Sequence, residues 1–273
     1  MSDKITIIKP RQGSHSLYLN ELWEYRELVW MMMMRDVKVR YKQTVLGIAW
    51  AVIQPLTTML IFTLIFGRLA KIPSDGLPYP IFVFSGLIAW SFFSSAVSSG
   101  GTSMVGAAGM ISKVYFPRLV VPIASIGVSA IDFVVSFFIL LLLMLVYSIS
   151  PSWQIVFFPL FVIGLTVAAI GVSTWLTAIT VVYRDFRFVI PFMLQIWMYV
   201  TPVIYPVSFL PEKWRWIIYF NPILGWVDGI RSSILGRPID WGAVAISLVF
   251  TLVLLFFGLR YFERSERRFA DVI

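Results

Sequence analysis

Between residues 119 and 182 this chain carries a single charge, Asp132. A helix crosses the roughly 30 Å of bilayer hydrocarbon in about 20 apolar residues, so this stretch has room for two crossings. The turn Ser148-Ile149-Ser150-Pro151-Ser152 divides them, because proline and clustered serines end helices. The same reading of charge-free stretches places a first span at residues 46–66 and a second near 79–99. A fifth is expected near 188–205 and a sixth at 241–259. After the second span, Gly100, Gly101, Gly106 and Gly109 make the chain too glycine-rich to be read as transmembrane.

Composition agrees. The chain is 59% hydrophobic and 13% charged, where soluble domains carry about 25% charged residues. That excludes an ordinary soluble enzyme, and an aromatic content of 16% excludes a disordered chain. The absence of cysteine excludes disulfides and Cys-ligated metals.

The segment between the fifth and sixth spans has a different character. Pro202, Pro206, Pro211, Pro222 and Pro238 interrupt it, and its charge-free piece, residues 216–227, is only 12 residues long. Short re-entrant helices fit this pattern, since irregular backbone at membrane depth survives only inside protein or beside a water-filled cavity. An external loop lying on the headgroups is the alternative.

Six spans put both termini on one side. Of the 22 Lys and Arg residues, 16 fall on that side and 6 on the other. The bias places both termini in the cytoplasm. A net charge of +8 in so apolar a chain points to cytoplasmic loops and anionic headgroups rather than to nucleic acid. Residues 1–42 are polar and basic and lack the apolar core of a signal peptide, so none is expected to be cleaved. Before the first span, Tyr18, Leu22, Tyr25, Val29 and Met33 recur at helical spacing, with Asn20, Glu24 and Glu27 opposite. Such a helix lies in the membrane interface, flanked by Trp23 and Trp30, or packs on its own protein.

Catalytic chemistry is nearly absent. No G-x-x-x-x-G-K-[ST] loop occurs, so the chain has no phosphate cradle of its own for ATP. The lone histidine, His15, makes neither a metal site nor a Ser-His-acid set. Clustered carboxylates of the kind a glycosyltransferase needs are missing as well. Asp132 is the exception, because an ionisable group within a span is costly. It is either a proton or cation site, or a carboxyl bonded to Ser125, Ser129, Ser136 or another helix. Aromatic residues crowd the broken region, and Tyr199 and Tyr205 fit either an interfacial belt or the wall of a path over which sugar rings slide.

Several strings together resemble a known family. Arg35-Asp36-Val37-Lys38-Val39-Arg40-Tyr41-Lys42-Gln43-Thr44-Val45-Leu46-Gly47 runs into Trp50 and Gln54-Pro55-Leu56. Lys113-Val114-Tyr115-Phe116-Pro117-Arg118, Tyr183-Arg184-Asp185, Thr201-Pro202-Val203-Ile204-Tyr205-Pro206 and Asn221-Pro222 follow in order. Over essentially the whole chain these look like the permease subunit of ABC-2-type polysaccharide exporters, the family that exports O-antigen, capsule and teichoic acid.

The resemblance implies an all-α integral membrane protein. Residues 1–45 would form a cytoplasmic arm with the interfacial helix, residues 46–262 the six-span domain, and residues 263–273 a cytoplasmic tail. It implies a homodimer in the cytoplasmic (inner) membrane with two copies of a separate ABC ATPase, which would bind ATP and Mg; this chain would bind no cofactor. Residues 106–118 resemble the family's coupling helix. Lys113, Tyr115, Phe116 and Arg118 would dock on the ATPase, with Tyr183, Arg184 and Asp185 as a smaller contact. Arg35, Lys38, Arg40 and Lys42 would gather the pyrophosphate of a polyprenyl-linked polysaccharide, although plain positive-inside topology explains the same run. An exporter of small amphiphiles, or a proton-coupled transporter using Asp132, is the alternative function.

Overall fold

The structure is a computed structural model that describes residues 22–42, 49–111 and 113–272. The described residues form helices and no strands. In chain order these are α1 (Arg26–Lys42), α2 (Ala49–Phe62, continued by a π-helical turn over Thr63–Leu69), α3 (Tyr79–Gly106) and the single turn α4 (Ala108–Ile111). Then come α5 (Val120–Val146), α6 (Phe158–Val182), α7 (Phe186–Val200), α8 (Glu212–Tyr219), α9 (Leu224–Leu235) and α10 (Trp241–Val272).

Among the described residues, five helices are long and apolar enough to cross a membrane: α2, α3, α5, α6 and α10. The expected fifth span is shorter than the sequence suggests. α7 has 15 residues, about 22 Å at 1.5 Å per residue. Pro202 explains the early stop, because a residue before proline is pushed out of the helical region, and Thr201 is extended at φ −85°, ψ 135°.

The second span runs on to Gly106, through the glycines that the sequence reading excluded from it. They are helical because another helix lies against them. A Cβ on Gly100 would stand 2.7 Å from Ser173 of α6, and the Thr177 hydroxyl donates to the Gly100 carbonyl at 2.7 Å. Small residues let transmembrane backbones approach in this way.

α3 is the centre of the bundle, flanked by α5 and α6. α10 packs on α6, and α9 wedges between α3, α6 and α10. α1 lies along α5, where Met33 occupies the space a side chain on Gly127 would need. The amphipathic stretch thus packs on its own protein through Met32, Leu22, Tyr25, Leu28 and Val29, leaving Trp23 and Trp30 exposed. Tyr18, Asn20 and residues 43–48 lie outside the described residues.

At one end, an apolar cluster gathers Met32 of α1, Met104, Phe116, Val181 of α6, and Phe262 and Phe269 of α10. The other end is tied by polar groups. Asp75, in the loop after α2, pairs with Arg237 and accepts a hydrogen bond from Ser208 at 2.7 Å. The Tyr219 hydroxyl donates to Asp240 at 2.5 Å, and that bond together with burial pushes it up to about 12.

Candidate functional site

α3 carries a polar stripe among mostly apolar residues. Ser91, Ser94, Ser95 and Ser98 recur at intervals of three and four, hence on one helix face, and they line a cavity of about 660 Å³. α2 contributes Gln54 and Thr58, and α7 contributes Gln195. Pro55 of α2 has no N–H to give the carbonyl of Ala51, and both residues line the same cavity. Rings complete the wall: Trp50, Trp90, Phe92 and Phe133. Hydroxyls, amides and aromatic faces at membrane depth suit a solute that is both polar and ring-shaped.

Asp132 and Ser136 line the cavity from α5, and Arg40 and Tyr41 line it from the end of α1. Arg40 Nη2 stands 2.8 Å from Asp132 Oδ2, and the Tyr41 hydroxyl donates to Oδ1. The intramembrane carboxylate is therefore partnered by another helix, one of the alternatives the sequence left open. Ser129, offered as a partner, donates instead to Ser95 at 2.9 Å.

The broken segment after α7 closes one end of the bundle. Its exposed carbonyls would be costly at membrane depth, and side chains from elsewhere satisfy them. Arg231 of α9 donates from Nη1 to the Pro202 carbonyl at 3.1 Å and from Nη2 to the Val203 carbonyl at 2.9 Å. Tyr79 donates to the Ile204 carbonyl at 2.8 Å. Asn221 donates to the Thr201 hydroxyl at 2.9 Å and accepts from the Trp197 indole at 3.0 Å. Thr201-Pro202 and Asn221-Pro222, two of the strings quoted from the sequence, thus meet in space. α9 is buried along nearly its whole length, which favours a re-entrant helix there over a headgroup loop, whereas α8 is largely exposed with only Ile218 buried. Arg231, one of the 6 positive charges on the side away from the termini, is fully buried with its guanidinium 4.1 Å from the Phe82 ring.

The expected docking residues separate. Lys113 and Tyr115 are exposed, Tyr115 at 73%, and Tyr183, Arg184 and Asp185 are exposed as well. Phe116, 6% exposed, is an anchor in the apolar cluster. Arg118 donates to the Glu266 carbonyl and lies 5.9 Å from the Phe269 ring, tying the loop to the end of α10. Of the basic run, only Arg40 reaches the cavity, and Arg35 pairs with the neighbouring Asp36 at 2.8 Å. Tyr199 is exposed on α7, and the Tyr205 hydroxyl donates to its carbonyl at 3.1 Å; neither lines this cavity.

The serine stripe went unread in the sequence, and so did Gln195. The signal was present: Ser91, Ser94, Ser95 and Ser98 fall at helical spacing within a mostly apolar span.

A multi-span helical membrane protein with a polar cavity among its spans and a helical plug at one end has the build of a permease. Residues 27–235 match the family described as ABC-2 type transporter, and the chain belongs to that family. It is a transporter subunit and not a catalyst. It is similar to the O-antigen export system permease protein RfbA of Myxococcus xanthus, 28% identical over 260 residues that cover 93% of this chain and 98% of the relative. The RfbA of Klebsiella pneumoniae is 28% identical over 240 residues, covering 88% and 92%. The polysialic acid transport protein KpsM of Escherichia coli is 24% identical over 239 residues, covering 85% and 91%.

Proposed function

We propose that this chain is the transmembrane subunit of an ATP-driven exporter that carries lipid-linked polysaccharide, O-antigen first among the candidates, across the cytoplasmic membrane. The observation that carries the reading is the cavity: hydroxyls, amides and rings at membrane depth in an ABC-2 family chain whose relatives are named for O-antigen and polysialic acid transport. Weak, repeated contacts from serines and rings let a polymer advance without being held.

Two copies of the chain would flank the path, each with a copy of a separate ABC ATPase that binds ATP and Mg. Lys113, Tyr115, Tyr183, Arg184 and Asp185 would meet the ATPase, with Phe116 and Arg118 transmitting its movement to the apolar cluster behind. The Lys and Arg bias supports placing both termini in the cytoplasm. The basic run at Arg35, Lys38, Arg40 and Lys42 would gather the lipid pyrophosphate. Tyr199 and Tyr205 would line the path outward of the cavity.

The test is made in cells lacking this chain. Lipid-linked polymer accumulating inside, with none at the surface, is the expected result. Normal surface polysaccharide, with no redundant exporter present, would overturn the reading in favour of a small amphiphile. Within the site, Ser94→Leu with Ser98→Leu should abolish export while leaving the amount of chain in the membrane unchanged.

A further inference from the structure

Arg40 and Asp132 form a charge pair between the end of α1 and the middle of α5. Asp132 lies twelve residues beyond Val120, about 18 Å along the helix, where an unpaired carboxylate would be costly. A pair serving only to tie two helices needs no open volume beside it. This one faces the cavity, with the Arg40 side chain 45% exposed and Asp132 21% exposed.

We propose that the pair is an exchangeable latch: Arg40 leaves Asp132 to receive the phosphate group of a lipid entering the cavity, and returns when the lipid has passed.

Three features support the exchange. First, Asp132 is not stranded when Arg40 leaves, because the Tyr41 hydroxyl bonds its other oxygen. The carboxylate keeps a donor while its countercharge turns to a second anion. Second, a guanidinium presents a fork of N–H donors that fits phosphate oxygens bidentately, and among the described residues Asp132 is the acid Arg40 meets. The serine hydroxyls of α3 line the same cavity. Third, only 6% of the most apolar stretch of α2 is buried by its own chain, which leaves an amphiphile a lateral approach wherever a second copy does not cover that helix. A free ion would have to shed its hydration shell to reach the same depth.

Lys38 and Lys42 do not line the cavity and Arg35 is held by Asp36, so the basic run narrows to one residue for this step. The inference rests on the function proposed above only for the polymer that the lipid carries.

The experiment uses the full-length chain in lipid nanodiscs and measures binding of farnesyl diphosphate, with farnesol and inorganic pyrophosphate as the other arms. Asp132→Asn should bind farnesyl diphosphate about tenfold more tightly, because Arg40 no longer has to leave a carboxylate. Arg40→Gln, alone or combined with Asp132→Asn, should bind it about tenfold more weakly. Arg40→Lys should retain most of the affinity, and farnesol binding should not respond to any of these changes.

Equal losses in both single variants with recovery in the double variant would overturn the proposal, because that is the behaviour of a purely structural pair. Unchanged affinity in Arg40→Gln would overturn it too, and so would inorganic pyrophosphate binding as tightly as the lipid. Normal surface polysaccharide in cells lacking the chain would sink the export reading but leave the exchange in nanodiscs intact, so the two failures are separable.

Discussion

α2 and α3 are both apolar spans of nearly equal mean hydropathy, yet 78% of the most apolar stretch of α3 is buried by its own chain and only 6% of that of α2. Small residues supply part of the difference. α3 carries Ser85, Gly86, Ala89, Ala96, Gly100 and Gly101, all buried or nearly so, and neighbouring helices close onto those small residues. α2 presents Trp50, Ile53, Leu60, Ile61, Leu64 and Ile65, all exposed. Hydropathy reports that a helix belongs in the bilayer; small residues report where another helix lies against it. The uncovered surface of α2 is left for lipid or for a second copy of the chain.

Substitutions on the two sides should therefore differ in size. Arg231→Ala, which leaves the Pro202 and Val203 carbonyls without their donor, should cost roughly 2–5 kcal/mol. Thermal unfolding of the purified chain in nanodiscs reads this, and an unchanged melting temperature would break the account of how α3 is enclosed. Gly100→Leu should push α6 from α3 and cost about 1–3 kcal/mol by the same measurement. Thr177→Val, which removes a single hydrogen bond across that contact, should cost about 1 kcal/mol. On α2, Leu60→Ala and Ile61→Ala should each stay within about 0.5 kcal/mol. Because the chain contains no cysteine, Leu60→Cys gives a clean crosslinking site. A disulfide-linked dimer in membranes would assign the bare face of α2 to a second copy, whereas a monomer would leave it to lipid.

Most of the architecture was legible as charge-free length. α5, α6 and α10 fall close to where gaps between charges put them, because burying a charge in hydrocarbon is the one cost that no local packing offsets cheaply. α7 shows the limit of that logic. The absence of charge made it look long, and Pro202 ended it after 15 residues. The glycine-rich end of α3 failed in the opposite direction, since glycine is a poor helix former until a neighbour packs on it. Within the site, Asp132 stood out as the lone acid, but its partners did not: Arg40 is 92 positions away in sequence, and topology alone already accounted for a basic residue there. The serine stripe could have been found by spacing, because its four members need no partner to define a face.

By itself the sequence determined that the chain spans a membrane, which residues are excluded from hydrocarbon, and the family to which its ordered strings belong. Each of these follows from local chemistry, from charge, hydropathy and proline, that acts the same way whatever the chain packs against. Only the tertiary structure decided that Arg231 is buried beneath the broken end of α7, that Arg40 reaches Asp132, and that α3 and not α2 is the centre of the bundle. Those outcomes depend on which small residue meets which large one across the bundle, and no single segment carries that information.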